Sequence, residues 1–260
     1  MLQDIREIIY GFASENRIYS NEAQFQHDLA ISLEKLGYDV YLEVLSINAN
    51  SLDEFKAKNK NERIKLYTDI AIKISENEYI AIELKYKTEE ETYFVNGKNY
   101  LTFHQGAYDN GTYDYLCDVK RLEDLVNGKY IFNLDKNNVV LKGYAIILTN
   151  DKHYCEKRKT ISPWYNFSLP NGRTIQGNLN WSEKGNEVDI IGCDKKCAGR
   201  ENPLSLSGSY TCKWEDYDIG CKVKKPLKFM IFEIENKDWW YYQSLFMTVF
   251  CRVMYCIIVP

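Results

Sequence analysis

The spacing of apolar residues changes along the chain, and each spacing predicts a helix or a strand. Near the start, four apolar side chains recur at steps of four, four and three, which is the spacing of one face of an α-helix. They are Phe25, Leu29, Leu33 and Leu36. Ser20 or Asn21 can cap this helix, Asn21 and Gln24 have the spacing of a capping box, and Gly37 marks its end.

Strict alternation of apolar and polar residues then predicts two neighbouring strands, over residues 63–74 and 79–87. The polar turn "SENE" between them is short, so we expect the strands to pair as a hairpin. One face of the hairpin is apolar. The other carries Asp69 from the first strand and Glu83 and Lys85 from the second. Charged side chains in the middle of two adjacent strands single this region out.

The remaining elements follow from the same reasoning. Strands are predicted at residues 38–47, 138–150 and 226–236, a second hairpin around Asn96 and Gly97, and a helix at about 112–126. We therefore divide the chain into a core of α/β class over residues 1–150, a loop- and hairpin-rich elaboration over 151–227, and a C-terminal strand and apolar segment, 228–260, that packs on the core.

Composition narrows the class of protein. Hydrophobic residues make up 45% of the 260 residues and charged residues 27%, which is ordinary for a globular domain. The net charge of −4 means that a nucleic-acid partner would have to meet a local basic face. The N-terminus lacks the layout of a secretory signal, so we expect a cytoplasmic protein. Gln243 and Arg252 interrupt the C-terminal apolar stretch, so no membrane span is predicted.

The charged face of the hairpin suits a hydrolytic metal site. The chain contains five acid-x-Lys triplets, so the triplet alone is weak evidence, but only that of Glu83 and Lys85 lies in mid-strand beside an aspartate on the matching face. Two carboxylates on adjacent strands can share a hard cation such as Mg²⁺. Such a cation polarises a phosphoryl oxygen and lowers the pKa of a bound water. An ammonium group on the same face can orient or deprotonate that water.

This arrangement resembles the PD-(D/E)XK nuclease superfamily, which has the restriction-endonuclease-like fold. Asp69 matches the first acid of the motif, although Thr68 stands where the family name has proline, and Glu83 and Lys85 match the acid-x-Lys element. The resemblance covers residues 21–149. It implies a central mixed sheet flanked by helices, in the order helix, three strands, helix, strand, which is the order that the periodicity predicts.

The resemblance also implies a function and further site residues. It implies a nuclease that uses Mg²⁺ or Mn²⁺ to cut DNA, in a restriction, repair or defence context, and a homodimer would suit cutting of both strands. Asp69 and Glu83 would bind the metal together with the Leu84 carbonyl, and Lys85 would position or activate water. Glu22, which continues the apolar stripe of the first predicted helix, would complete the set of acids.

Additional contacts to nucleic acid are predicted from lysines on the charged face and from polar residues that follow the hairpins. They are Lys65, Lys73, Lys87, Gln105 and Tyr108.

Three alternatives stay open. The charged face could be an exposed sheet surface with cross-strand ion pairs. The fold could also serve as a catalytically inactive module that binds nucleic acid or a protein. Finally, four cysteines could hold zinc in an interaction protein, although the second pair is spaced widely for that metal. They are Cys193, Cys197, Cys212 and Cys221.

Overall fold

A computed structural model describes residues 4–48, 66–134, 137–157, 164–181, 199–200 and 202–236. The helices in these ranges are α1 (Ile5–Ser14), α2 (Glu22–Lys35), α3 (Tyr108–Val126) and α4 (Lys152–Cys155), with a 3-10 turn at Tyr165–Phe167. The strands are β1 (Asp39–Asn48), β2 (Leu66–Lys73), β3 (Glu78–Lys87), β4 (Glu91–Val95), β5 (Lys98–Thr102), β6 (Tyr130–Phe132), β7 (Val139–Thr149), β8 (Thr174–Leu179), β9 (Leu204–Thr211), β10 (Glu215–Asp216) and β11 (Lys228–Glu235).

A sheet of seven strands lies at the centre of the described chain, in the order β10-β11-β7-β3-β2-β1-β6. Its two central strands, β3 and β7, run parallel, and the other neighbouring strands pair antiparallel. The predicted α/β class and the mixed central sheet flanked by helices are therefore confirmed. The hairpin of β2 and β3 and the small hairpin of β4 and β5 also form as predicted.

The helix predicted from the first apolar stripe is α2. Asn21 caps it by accepting a hydrogen bond from the Gln24 amide at 2.9 Å. Phe25, Leu29 and Leu33 are buried as expected, but Leu36 is 46% exposed because it caps the end of the helix beyond the edge of the core. Helix α3 begins four residues before the predicted position, and α1 and β6 were not predicted.

Apolar side chains cover both faces of the sheet. Helices α1 and α2 pack on the face that carries Ile70, Ile82 and Leu84, while α3 packs on the opposite face with the hairpin of β8 and β9. The whole of β11, from Lys228 to Glu235, pairs with β7, so the C-terminal part of the described chain lies within the central sheet. The apolar residues after position 236 lie outside the described ranges. Within those ranges, no helix has both the length and the apolar character that crossing a membrane requires.

The sheet carries a row of small residues beneath α3. Ala71 of β2 pairs with Ala81 of β3, which in turn pairs with Gly143 of β7. Leu122 of α3 lies directly over this row, because a methyl group added to Gly143 would be 3.1 Å from the Leu122 Cβ atom. Small side chains let a helix approach a sheet closely. The row therefore brings the polar residues of α3 within reach of the side chains on β3.

This close approach predicts that a large side chain at Gly143 is costly. Gly143→Val should lower the free energy of unfolding by about 1–3 kcal/mol through overpacking against Leu122. Val139→Ala, at an exposed position of the same strand, serves as the control and should change it by less than about 0.5 kcal/mol. Urea unfolding followed by circular dichroism measures both. Equal effects of the two substitutions would show that α3 does not depend on the small row.

Candidate active site

Strands β2 and β3 part at the position of the predicted site. Their backbone pairing runs from Lys73 and Tyr79 to Ile70 and Ile82 and ends there. Beyond that point, side-chain carboxylates take over the role of the missing neighbour strand. The Leu84 amide donates to Asp69 Oδ2 at 2.6 Å, and the Tyr86 amide donates to Glu22 Oε2 at 2.8 Å. The structure therefore brings Asp69 and Glu22 to successive amides along one edge of β3.

Helix α2 positions two of the polar groups at this edge. Glu22 is the first residue of the helix and is half-buried, so its carboxylate also benefits from the positive end of the helix dipole. One turn later, Gln26 Nε2 donates to the Asp69 carbonyl at 2.7 Å and to Glu43 Oε1 at 2.9 Å. Glu43 has a φ of 50°, a left-handed conformation that costs a non-glycine residue about 1–2 kcal/mol. Neither Gln26 nor Glu43 was predicted from the sequence.

The side chains of Glu83 and Lys85 lie on the face of β3 that α3 covers. The Glu83 side chain is only 2% exposed, and its Oε1 lies 3.3 Å from Arg121 Nε. Lys85 Nζ lies 2.8 Å from Asp118 Oδ2. Arg121 joins the two pairs, because its guanidinium also contacts Asp118 Oδ1 and donates to the Tyr67 carbonyl at 3.0 Å. The alternative of an exposed, solvated sheet face is therefore wrong.

Burial and mutual repulsion shift the pKa values of these groups. Burial raises the pKa of the Asp69 carboxyl to about 6, and the charges of Asp118 and Glu22 act in the same direction. Burial also raises the pKa of Glu83 well above its usual value, against the effect of the nearby Arg121 charge. Burial alone would lower the pKa of Lys85, but the charges of Asp118 and Glu22 outweigh it and raise that pKa. Lys85 is therefore a cation at neutral pH.

Asp118 and Arg121 are the site residues that the sequence did not single out. Asp118 begins one of the five acid-x-Lys triplets, but that triplet falls within the predicted helix and not in a strand. Their spacing of three residues places them one above the other on the inner face of α3. Two charged residues at that spacing, on the side of an amphipathic helix that faces a sheet, are the signal that could have identified them.

The predicted contacts to nucleic acid lie away from these acids. Lys65 lies outside the described residues. Lys73 and Lys87 are each four residues from Asp69 or Glu83 along their strands, which is about 13 Å. Gln105 and Tyr108 contact other residues: the backbone amide of Gln105 donates to the Thr88 carbonyl, and the Tyr108 ring stacks on His153.

A second group of polar side chains lies near Gln105 and Tyr108, just past the C-terminal ends of β3 and β7. Among the described residues, Glu89, Asp151 and His153 form the one set of three whose ligand atoms all lie within 4.8 Å of one another. They line a cavity of about 500 Å³. Glu89 is already paired there with Lys225 and His104. Among the described residues of the predicted site, no three carboxylates lie within 4.8 Å of one another, so these acids are more widely spaced than the ligand atoms of the second group.

The described cysteines do not favour the zinc alternative. Cys193 and Cys197 lie outside the described residues. Cys212 is buried in the core beneath α3, and Cys221 packs against the core on the α2 side of the sheet. Two thiols in different cores are poorly placed to share one ion. Four cysteines lie in the described ranges, and all are free thiols: Cys117, Cys155, Cys212 and Cys221.

Comparison with known proteins gives no relative on which to base a function. No protein-family model, no curated protein and no solved structure matches this chain.

The raised pKa of Asp69 predicts a particular dependence of stability on pH in metal-free buffer. Because the folded protein binds this proton more tightly than the unfolded chain, the associated stability is present at pH 4 and is lost as the pH rises through about 6. Asp69→Asn stays neutral and keeps an acceptor for the Leu84 amide. Relative to this variant, the wild type should lose about 2–3 kcal/mol of unfolding free energy between pH 4 and pH 7. Parallel stability curves would contradict the prediction.

The ion pairs beneath α3 predict a strong effect of removing their shared cation. Arg121→Met should lower the free energy of unfolding by about 3–5 kcal/mol, because it leaves Glu83 buried without its cation and Asp118 paired with Lys85 alone. Adding Glu83→Gln should restore part of this loss. Lys120→Met is the matched control, since Lys120 pairs with Asp124 near the surface and should contribute about 1 kcal/mol or less. Chemical denaturation of the wild type, the three single variants Arg121→Met, Glu83→Gln and Lys120→Met, and the double variant tests this, and additive effects of Arg121→Met and Glu83→Gln would refute the coupling.

Proposed function

We propose that the protein is a metal-dependent nuclease that hydrolyses phosphodiester bonds in DNA, with Mg²⁺ or Mn²⁺ as its cofactor and the cytoplasm as its compartment. One observation carries the proposal: Asp69, Glu83 and Lys85 all lie along the stretch where β2 and β3 part, and Glu22 reaches the same stretch of β3 from α2. This is the arrangement that the resemblance to the PD-(D/E)XK superfamily implies for a nuclease.

The charges at this place support a divalent cation. The carboxylates of Asp69, Glu83, Glu22 and Asp118 surround two cations, Lys85 and Arg121, so the fully ionised group carries two negative charges in excess. In a buried position such an excess is costly unless a positive ion neutralises it. Glu83 Oε1 and Asp118 Oδ2 are also buried without a hydrogen bond. Oxygen donors of this kind suit Mg²⁺ or Mn²⁺.

The site residues would divide the work of hydrolysis. Asp69 and Glu83 would hold the cation with the Leu84 carbonyl and Glu22, and the bound cation would supply the polarisation of a phosphoryl oxygen and the activation of water. Lys85 is held as a cation by Asp118 and Glu22, so it would orient the water and stabilise charge that develops on the phosphate. A protonated Lys85 cannot itself accept the proton of that water. Burial beneath α3 would strengthen these interactions by excluding solvent.

A binding module without catalytic activity is the second candidate. The observation that favours it is the pairing of Glu83 with Arg121 and of Lys85 with Asp118, which neutralises part of the site without any metal. The spacing of the acids, wider than that of the group around Glu89, points the same way. Such a module would hold nucleic acid but leave it uncut in the presence of Mg²⁺ or Mn²⁺.

Cleavage assays distinguish the two candidates. The full-length wild type should cut plasmid, single-stranded or branched DNA with Mg²⁺ or Mn²⁺, and Glu83→Gln should lower the rate by about a hundredfold or more. Glu233→Gln is the matched control. Glu233 also follows the pattern of an acid in an apolar strand, but it pairs with Arg6 and Lys142 away from the site, and its loss should leave cleavage unchanged.

Each outcome has a clear meaning. Binding of DNA without cutting by the wild type would favour the binding module. Cutting of RNA alone would keep the nuclease but change its substrate. Cutting that survives Glu83→Gln and is lost in Glu233→Gln would move the active site to β11.

A further inference from the structure

Asp118 and Arg121 form an unusual pair on the inner face of α3. Asp118 is 4% exposed and Glu83 is 2% exposed, and the guanidinium of Arg121 contacts both carboxylates. Arg121 therefore lies where a positive charge serves two buried acids that come from different elements of the fold. One of these acids, Glu83, is a predicted metal ligand, while Asp118 has no role in the family resemblance.

Arg121 does not satisfy all of the hydrogen-bonding capacity of these two acids. Glu83 Oε1 and Asp118 Oδ2 are buried and have no hydrogen bond, although each lies near a cationic nitrogen, at 3.3 Å and 2.8 Å respectively. A buried carboxylate oxygen normally accepts at least one well-aligned hydrogen bond. A spherical divalent cation has no such directional requirement and can be bound by both oxygens at once. Both are carboxylate oxygens that a divalent cation could bind in place of the nitrogens that now face them.

The charge balance supports the same interpretation. Arg121 brings one positive charge to a group whose four carboxylates and two side-chain cations leave two negative charges in excess. Once Arg121 has moved away, the four carboxylates and Lys85 leave three negative charges in excess, of which a divalent cation would neutralise two. If it entered between Glu83 and Asp118, the guanidinium would have to move away, because like charges in a buried site repel one another strongly. Arg121 is near a way out, since it lines an open cavity of about 300 Å³ together with Lys120, Asp124 and Tyr130.

We propose that Asp118 is a further ligand of the metal in the candidate active site and that Arg121 occupies the place of the metal until a divalent cation displaces it. This inference rests on the proposed function. Arg121 is then a positioning residue, which keeps the buried acids apart and neutralises part of their charge in the metal-free protein. The wide spacing of the acids in the present structure follows from its guanidinium lying between them.

Binding of Mn²⁺, followed by electron paramagnetic resonance and titration calorimetry, tests the proposal without relying on activity. In the full-length chain, Asp118→Asn should weaken Mn²⁺ binding by about tenfold or more. Arg121→Gln should strengthen it by about tenfold, because the competing cation is gone, while Arg121→Lys should restore the wild-type affinity. Lys129→Gln, which removes an exposed cation that pairs with Asp124 just past the end of α3, should leave the affinity unchanged.

Thermal unfolding with and without Mn²⁺ gives a second measurement. Without metal, Arg121→Gln should melt at a lower temperature than the wild type, since its buried acids lack a cation. With saturating Mn²⁺ its melting temperature should rise by more than that of the wild type, because the variant binds the ion more tightly. If Asp118→Asn does not fold, Asp118→Glu and Arg121→Gln still decide the question, because the first keeps a carboxylate and should retain Mn²⁺ binding.

The failure of this inference can be told apart from the failure of the proposed function. Suppose that the wild type binds Mn²⁺, that Asp69→Asn weakens this binding, and that Asp118→Asn and Arg121→Gln leave the affinity unchanged. The metal site then stands, and the role of Asp118 and Arg121 is overturned. If no stoichiometric Mn²⁺ binds to the wild type or to Arg121→Gln, the metal site itself is absent and both proposals fail.

Discussion

The close contact between α3 and the central sheet is the constraint on which the candidate site depends. Ala71, Ala81 and Gly143 leave so little volume on this face that the helix lies directly over the strands. Asp118 and Arg121 can therefore reach Glu83 and Lys85, and Glu83 is shut off from solvent as a result, while Lys85 is partly buried. With larger side chains in this row, the same charged residues would lie apart and in contact with water, where ion pairs contribute little.

The other half of the site depends on where β2 and β3 part. A strand that loses its neighbour exposes backbone amides, and a buried amide without an acceptor is costly. Asp69 and Glu22 supply those acceptors to Leu84 and Tyr86. The two carboxylates are therefore needed for the local structure of β3, besides any part in binding metal. The same two residues stabilise the fold and belong to the proposed site, which explains why acids are found at the edge of a core.

Buried charges are a poor way to stabilise a protein, because the loss of hydration offsets most of the attraction between them. Two acids and two bases that pair beneath α3, with two further acids at the edge of β3, are therefore more typical of a functional site than of a stabilising one. The raised pKa of Asp69 and Glu83 expresses the same cost. A cation that neutralised the excess negative charge would relieve it, and in its absence Arg121 does so in part.

Local patterns in the sequence were sufficient for most of the architecture. Period-two alternation identified the hairpin of β2 and β3, and the apolar stripe with its cap identified α2, because both signals arise from neighbours in the chain. The same alternation placed Asp69, Glu83 and Lys85 on the charged side of that hairpin. The resemblance to a nuclease family added Glu22, and the structure brings its carboxylate to the edge of β3.

What covers each face of a strand is not a local property, and only the tertiary structure decided it. Alternation shows that Glu83 and Lys85 share a face, but whether that face meets water or a helix depends on their partners in α3, which are 33 or more positions away. The roles of Asp118 and Arg121 follow from the packing of α3, and that of Gln26 follows from the packing of α2. Local sequence patterns indicate these roles only weakly. By itself, the sequence determined which residues can form the site; the packing of α3 over small residues determined that they are buried together.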